Sequence, residues 1–155
     1  MRTAGSRVGR NQYPGILLDL YAEGWLAADV APMIVPDAWC SAEFPLRQLD
    51  RDLWRELFAL AGYTHNFRPA ARPTSALTLY RGAVAERRTD WSWTPTRSVA
   101  ERFTVLRASE GQTRLWTAQV EPSHLLAYIG EDGRAEDEFV VDTDGVVITE
   151  VSTKP

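Results

Sequence analysis

Hydrophobic residues follow two different spacings along the chain. From Tyr13 to about Gly62 they recur at helical intervals, starting with Pro14, which the first turn of a helix tolerates because that turn needs no donor there. Ile16, Leu17, Leu20, Tyr21 and Leu26 follow, and Pro32 and Pro36 predict an irregular segment between two helical parts. The second part is the clearest helix in the chain. Leu49, Leu53, Trp54, Leu57, Phe58 and Ala61 share one face, Asp50, Arg51, Asp52, Arg55 and Glu56 occupy the other, and Gly62 supplies the stop. Such a helix inside a small domain packs on its own core and serves as scaffold.

Between Thr64 and Ser75 no period holds, and Pro69 and Pro73 mark a connection. From Leu77 onward short β-type runs take over: Leu77 to Arg81, Trp91 to Thr94, Leu115 to Val120, Leu125 to Ile129, Phe139 to Asp142, and Val146 to Val151. One helix interrupts them, from Arg97 or Ser98 to Leu106, with Val99, Ala100, Phe103 and Leu106 as its apolar face and Thr96 or Ser98 as its cap. Asp132-Gly133 and Asp144-Gly145 predict tight turns that join the last three strands as an antiparallel meander or two hairpins. The expectation is a single α+β domain: a flexible tail over residues 1–12, a helical part over 13–75 and a mainly β part over 76–152.

Composition narrows the function. A chain of 155 residues with 45% hydrophobic and 25% charged residues has the size and balance of one globular domain. A net charge of -4 without any basic block argues against nucleic acid as a partner. Cys40 is the only cysteine, so no internal disulfide and no Cys-ligated metal site is expected, and His65 and His124 are too isolated to suggest a metal centre. Neither a secretory signal nor a membrane-spanning apolar run is present, which leads to the expectation of a soluble, cytoplasmic protein and leaves delivery into another cell open.

Three segments carry candidate chemistry. In Leu77-Thr78-Leu79-Tyr80-Arg81-Gly82 a cation ends a β-run before a glycine; an arginine there can hold a phosphate bidentately, although surface arginines after strands are common. In Trp91-Ser92-Trp93-Thr94, period two sets Ser92 and Thr94 on one face and the tryptophans on the other, as in any half-buried strand. In Arg134-Ala135-Glu136-Asp137-Glu138, acids lead into the apolar run Phe139-Val140-Val141, and the same period places Glu136 and Glu138 on one face. Solvated loop acids are the plainer alternative.

Taken in order, these segments resemble the Arg, Ser-x-Thr/Ser and Glu-x-Glu motifs of the arginine-serine-glutamate class of mono-ADP-ribosyltransferases. The resemblance covers about Leu77 to Val151 and includes the Ala-x-x-Phe helix after the serine strand. It implies an ADP-ribosyltransferase-like split antiparallel β-sandwich with an N-terminal helical layer, and NAD as co-substrate without a metal. It further implies that Arg81 binds an NAD phosphate, that the Gly82 backbone lies near the nicotinamide amide, and that Ser92 orients Glu138, with Thr94 in support. Glu138 would hold the ribose 2'-hydroxyl and stabilise the charge that develops as nicotinamide leaves. Glu136 would address the acceptor, a protein whose arginine side chain is the first to test. Trp91, Trp93, Tyr80 and Phe103 would offer a wall for the nicotinamide ring. Arg81 and Ser92 are only eleven positions apart, so the helix that the family places between them is expected to be missing or replaced by the N-terminal helices. Ser-Trp-Thr stands where family members carry Ser-Thr-Ser. Two other functions fit the same residues: an NAD glycohydrolase toxin, with water as acceptor, and an inactive binding module that uses exposed tryptophans of the helical half.

Overall fold

The computed structural model describes residues 12–130 and 137–152. The expected tail up to residue 11, the Asp132-Gly133 turn and Glu136 lie outside the described residues. Two compact units, Met1–Ala71 and Arg72–Pro155, divide inside the predicted connecting segment.

The first unit contains helices α1 (Tyr13–Ala22), α2 (Ala31–Ser41), α3 (Pro45–Gln48) and α4 (Arg51–Ala61), then strands β1 (Thr64–His65) and β2 (Arg68–Pro69). Helix α4 forms where its pattern predicts, except that Leu49 and Asp50, expected on its faces, precede it. The Asp50 side chain accepts from the Leu53 N–H at 2.8 Å, Gly62 ends the helix at a φ of 72°, and Trp54, Leu57, Phe58 and Ala61 are buried. Trp54 meets Trp39 of α2 edge to face at 5.1 Å, and its indole N–H donates to the Pro45 carbonyl, so the ring is buried without losing a hydrogen bond. The prolines act differently from the prediction. The chain leaves helical structure before them, after Ala22, while Pro32 sits in the first turn of α2 and Pro36 lies inside that helix. The first turn lacks an acceptor for Pro32 to miss, and Pro36 forfeits one bond while burying its ring. Beyond α4, Asn66 and Phe67 both adopt positive φ, 51° and 70°, and form a two-residue hairpin turn between β1 and β2. Without a glycine this turn left no mark in the hydrophobic pattern.

The second unit is built on two antiparallel sheets. One has the order β3 (Leu77–Val84), β5 (Thr113–Val120), β8 (Thr149–Glu150); the other runs β6 (Leu125–Ile129), β7 (Glu138–Val141), β4 (Ser92–Trp93). Helix α5 (Arg97–Leu106) packs on β3. Leu79, Val120, Leu125, Ala127, Ile129, Val140 and Val141 are buried, and each large aliphatic among them contributes about 1.5–3 kcal/mol. The mixed helix and strand content agrees with the α+β expectation. The last three strands do not form a meander. β6 and β7 pair, but after the turn at Thr143–Val146, where Gly145 has a φ of 82°, the chain crosses to the other sheet and β8 pairs with β5. The Thr143 hydroxyl, bonded to the Thr89 carbonyl at 2.5 Å, anchors that crossing.

Contact between α5 and β3 depends on Gly82. A Cβ there would lie 2.1 Å from the Ala100 carbonyl oxygen and 2.9 Å from the Thr104 nitrogen, both main-chain atoms. Ala100 is buried as predicted, whereas Leu106, expected on the inner face, is 63% exposed together with Val105 at 74%. The helix rests on the strand around Ala100 and Thr104, so its last turn faces away.

Candidate functional site

The site lies where an edge of one sheet meets an edge of the other. The Val141 N–H donates to the Trp91 carbonyl at 2.8 Å, so Trp91 and Trp93 direct their main-chain groups toward β7. Alternation then turns the N–H and C=O of Ser92 and Thr94 toward β3. Thr94 and Tyr80 exchange two hydrogen bonds, 2.8 and 2.9 Å, in an isolated bridge. The next rung would pair Ser92 with Gly82, but the Ser92 carbonyl accepts from the guanidinium of Arg81 instead. Its Nη1 donates to the Ser92 carbonyl at 2.9 Å, its Nε to the Arg87 carbonyl at 2.9 Å, and its Nη2 lies 3.5 Å from Asp90 Oδ2.

Arg81 therefore stands within β3, which continues to Val84, and not at a strand end as the pattern suggested. Its side chain is 16% exposed. Burial pushes the guanidinium pKa down; Asp90 opposes this, the Arg107 and Arg87 charges add to the lowering, and Glu138 opposes it again. Asp90 also accepts from Arg87 Nη1 at 2.8 Å, so one carboxylate serves two cations.

Ser92 and Glu138 come together across 46 residues. Ser92 is the register partner of Val140, and Glu138 lies two residues before Val140 on the same face of β7. The Ser92 hydroxyl donates to Glu138 Oε2 at 2.5 Å. Glu138 is 6% exposed, a rare degree of burial for a carboxylate and one that requires hydrogen bonding. Thr94 is buried, and its Oγ1 accepts the Thr96 N–H at 3.1 Å, which fixes the turn from the serine strand toward α5. Gly82 directs its N–H and C=O to the same edge of β3 as Tyr80, while α5 covers the side where a Cβ would stand.

The aromatic residues separate into two groups. Trp91 and Trp93 are buried, with the Trp93 indole N–H on the Asp90 carbonyl at 2.8 Å, and they belong to the core. Tyr80 and Phe103 are half-buried and remain available to line a site. Trp25, at 70%, is the exposed tryptophan of the first unit, since Trp39 and Trp54 are buried. Glu136 lies outside the described residues, and the alternation expected between it and Glu138 would pass through Asp137. That residue has a φ of 51°, in the left-handed region, so an extended alternation does not run through it to Glu138.

Two acids that sequence reasoning passed over help to build this site. Asp90 holds Arg81 and Arg87, and Asp137 accepts hydrogen bonds from Thr96 and Tyr128. Both lie outside regular periodicity, so their spacing held no signal. Between Arg81 and Ser92 the only helical turn is a 3-10 turn at Ala85–Arg87, and no α-helix intervenes. Among the described residues no cluster of His, Cys, Asp and Glu can hold a metal ion, and no helix is long and apolar enough to cross a membrane.

Two antiparallel sheets of the second unit, linked among the described residues by the Tyr80–Thr94 bridge, thus bring the Ser92–Glu138 pair of one beside Arg81 of the other. No protein-family model, no curated protein and no solved structure matches the chain.

Proposed function

We propose that the chain is an NAD-dependent mono-ADP-ribosyltransferase with a split antiparallel β-sandwich of that family, and that a protein arginine is its acceptor. The observation that carries this reading is the hydrogen bond from Ser92 to the buried carboxylate of Glu138. A serine that donates to one carboxylate oxygen orients the other toward a ligand. In NAD cleavage the bond between nicotinamide nitrogen and ribose carbon breaks, its electron pair leaves with nicotinamide, and positive charge develops on the ribose. Glu138 would stabilise that charge and hold the 2'-hydroxyl. The acceptor guanidinium then bonds to the ribose carbon and loses a proton, a step assigned to Glu136 on the strength of the family resemblance.

The Gly82 N–H and C=O, directed to the edge of β3 beyond the bridge, suit the two-point recognition of a carboxamide such as that of nicotinamide. Arg81 commits Nε and Nη1 to main-chain carbonyls and Nη2 to Asp90, so its part in this reading is first to position Ser92. A phosphate contact would use its remaining N–H groups. Incubation with labelled NAD and arginine-bearing proteins tests the proposal. Glu138→Gln should slow both nicotinamide release and protein labelling roughly hundred- to thousandfold, the scale of losing one preorganised electrostatic contact. Equal rates for variant and wild type would remove Glu138 from the chemistry. Nicotinamide release without labelled protein would reassign the chain to NAD hydrolysis, and absence of NAD binding in calorimetry would make it a binding module.

A further inference from the structure

The residue between the two acids of the Glu-x-Glu motif has no role in the reading above, yet three parts of the second unit converge on it. Asp137 Oδ2 accepts from Thr96 Oγ1 at 2.6 Å, and Asp137 Oδ1 accepts from the Tyr128 hydroxyl. Thr96 immediately precedes α5, Tyr128 lies on β6, and Asp137 immediately precedes β7. Asp137 also holds a φ of 51°, a conformation that aspartate adopts more readily than most residues but that its surroundings must still stabilise.

Thr96 supplies an independent observation. It occupies the N-cap position of α5 but makes no side-chain cap bond to its own helix. Threonine at that position ordinarily accepts from a helix N–H; here its hydroxyl is turned to Asp137. The carboxylate in turn lies beside the positive end of the α5 dipole, where negative charge is favoured. One side chain therefore ties the start of a helix, the end of one strand and the start of the next.

We propose that Asp137 is a positioning residue: its carboxylate, clamped between Thr96 and Tyr128, fixes the backbone at which β7 begins and thereby holds Glu138 against Ser92. The catalytic part of this inference rests on the proposed role of Glu138; the clamp itself does not. Displacement of a reacting group by about 1 Å can cost on the order of a hundredfold in rate. Asparagine can preserve the geometry, because its amide oxygen accepts from one hydroxyl while its NH2 donates to the oxygen of the other.

The test compares Asp137→Ala, Asp137→Asn and Glu138→Gln in two measurements on the full chain. In nicotinamide release from NAD, Asp137→Ala should lower kcat about ten- to a hundredfold with KM changed by no more than about twofold, and Asp137→Asn should recover most of the loss. In hydrogen exchange without NAD, Asp137→Ala should speed the Glu138 and Phe139 amides about tenfold or more relative to those of β5, and Asp137→Asn should not. An alanine variant that keeps its kcat, or an asparagine variant as slow as alanine, overturns the positioning role. Unchanged exchange at Glu138 and Phe139 overturns the clamp. If the wild type releases no nicotinamide, the transferase reading fails by itself and the exchange measurement still decides the clamp.

Discussion

Arg81 shows at the scale of one residue how charge can replace a backbone rung. A guanidinium that is 16% exposed has lost most of its hydration, and three acceptors on Arg87, Ser92 and Asp90 replace it. Asp90→Asn keeps the shape but removes the only full negative charge within hydrogen-bonding reach of Arg81 among the described residues. It should destabilise the fold by about 2–3 kcal/mol, less than for a wholly buried pair because both side chains retain some contact with water. Urea denaturation that reads a lower midpoint at unchanged slope checks this. Ser92 and Glu138 were legible in the sequence because each occupies a strand, where period two fixes the face. Asp90 and Asp137 were not, since each acts from outside a strand on partners that only the folded chain brings near.

Among the elements, the contact of α5 with β3 is the least tolerant of change. Gly82→Ala would set a methyl group 2.1 Å from a main-chain oxygen, and no side-chain rotation relieves that contact. The helix must move off the strand, with an expected loss of about 3 kcal/mol or more, and Thr94 and Thr96 would shift along with it. A fall in the thermal midpoint is the expected outcome, and under the proposed NAD-dependent reading weaker NAD binding by calorimetry accompanies it. The amphipathic spacing disclosed the buried face and the Gly62 stop of α4, but it counted Leu49 and Asp50 as helical, whereas Leu49 ends α3 and Asp50 caps α4. It misjudged α2, because a proline in the first turn and another buried inside a helix look the same in sequence as two breaks. It also joined β8 to the wrong neighbour: a tight turn fixes where a strand begins, while the choice of sheet depends on distant residues such as Thr89 and Leu115.

For the whole molecule, the change from helical to strand spacing along the chain pointed to the mixed helix and strand content observed, and the order of three short motifs suggested the candidate site. Hidden from that view was the way the two sheets of the second unit are connected. Composition and spacing describe each strand singly, whereas the junction arises from the pairing of Tyr80 with Thr94 and from the bond of Arg81 to the Ser92 carbonyl.

That junction has a mechanical meaning. Among the described residues, two hydrogen bonds between Tyr80 and Thr94 form the whole main-chain seam between the sheets, so any force that parts them concentrates on this pair as on a single stitch. The Tyr80 and Thr94 amides should therefore exchange earlier than those in the middle of β5, and do so together. If they exchange as slowly as β5, the load is shared elsewhere.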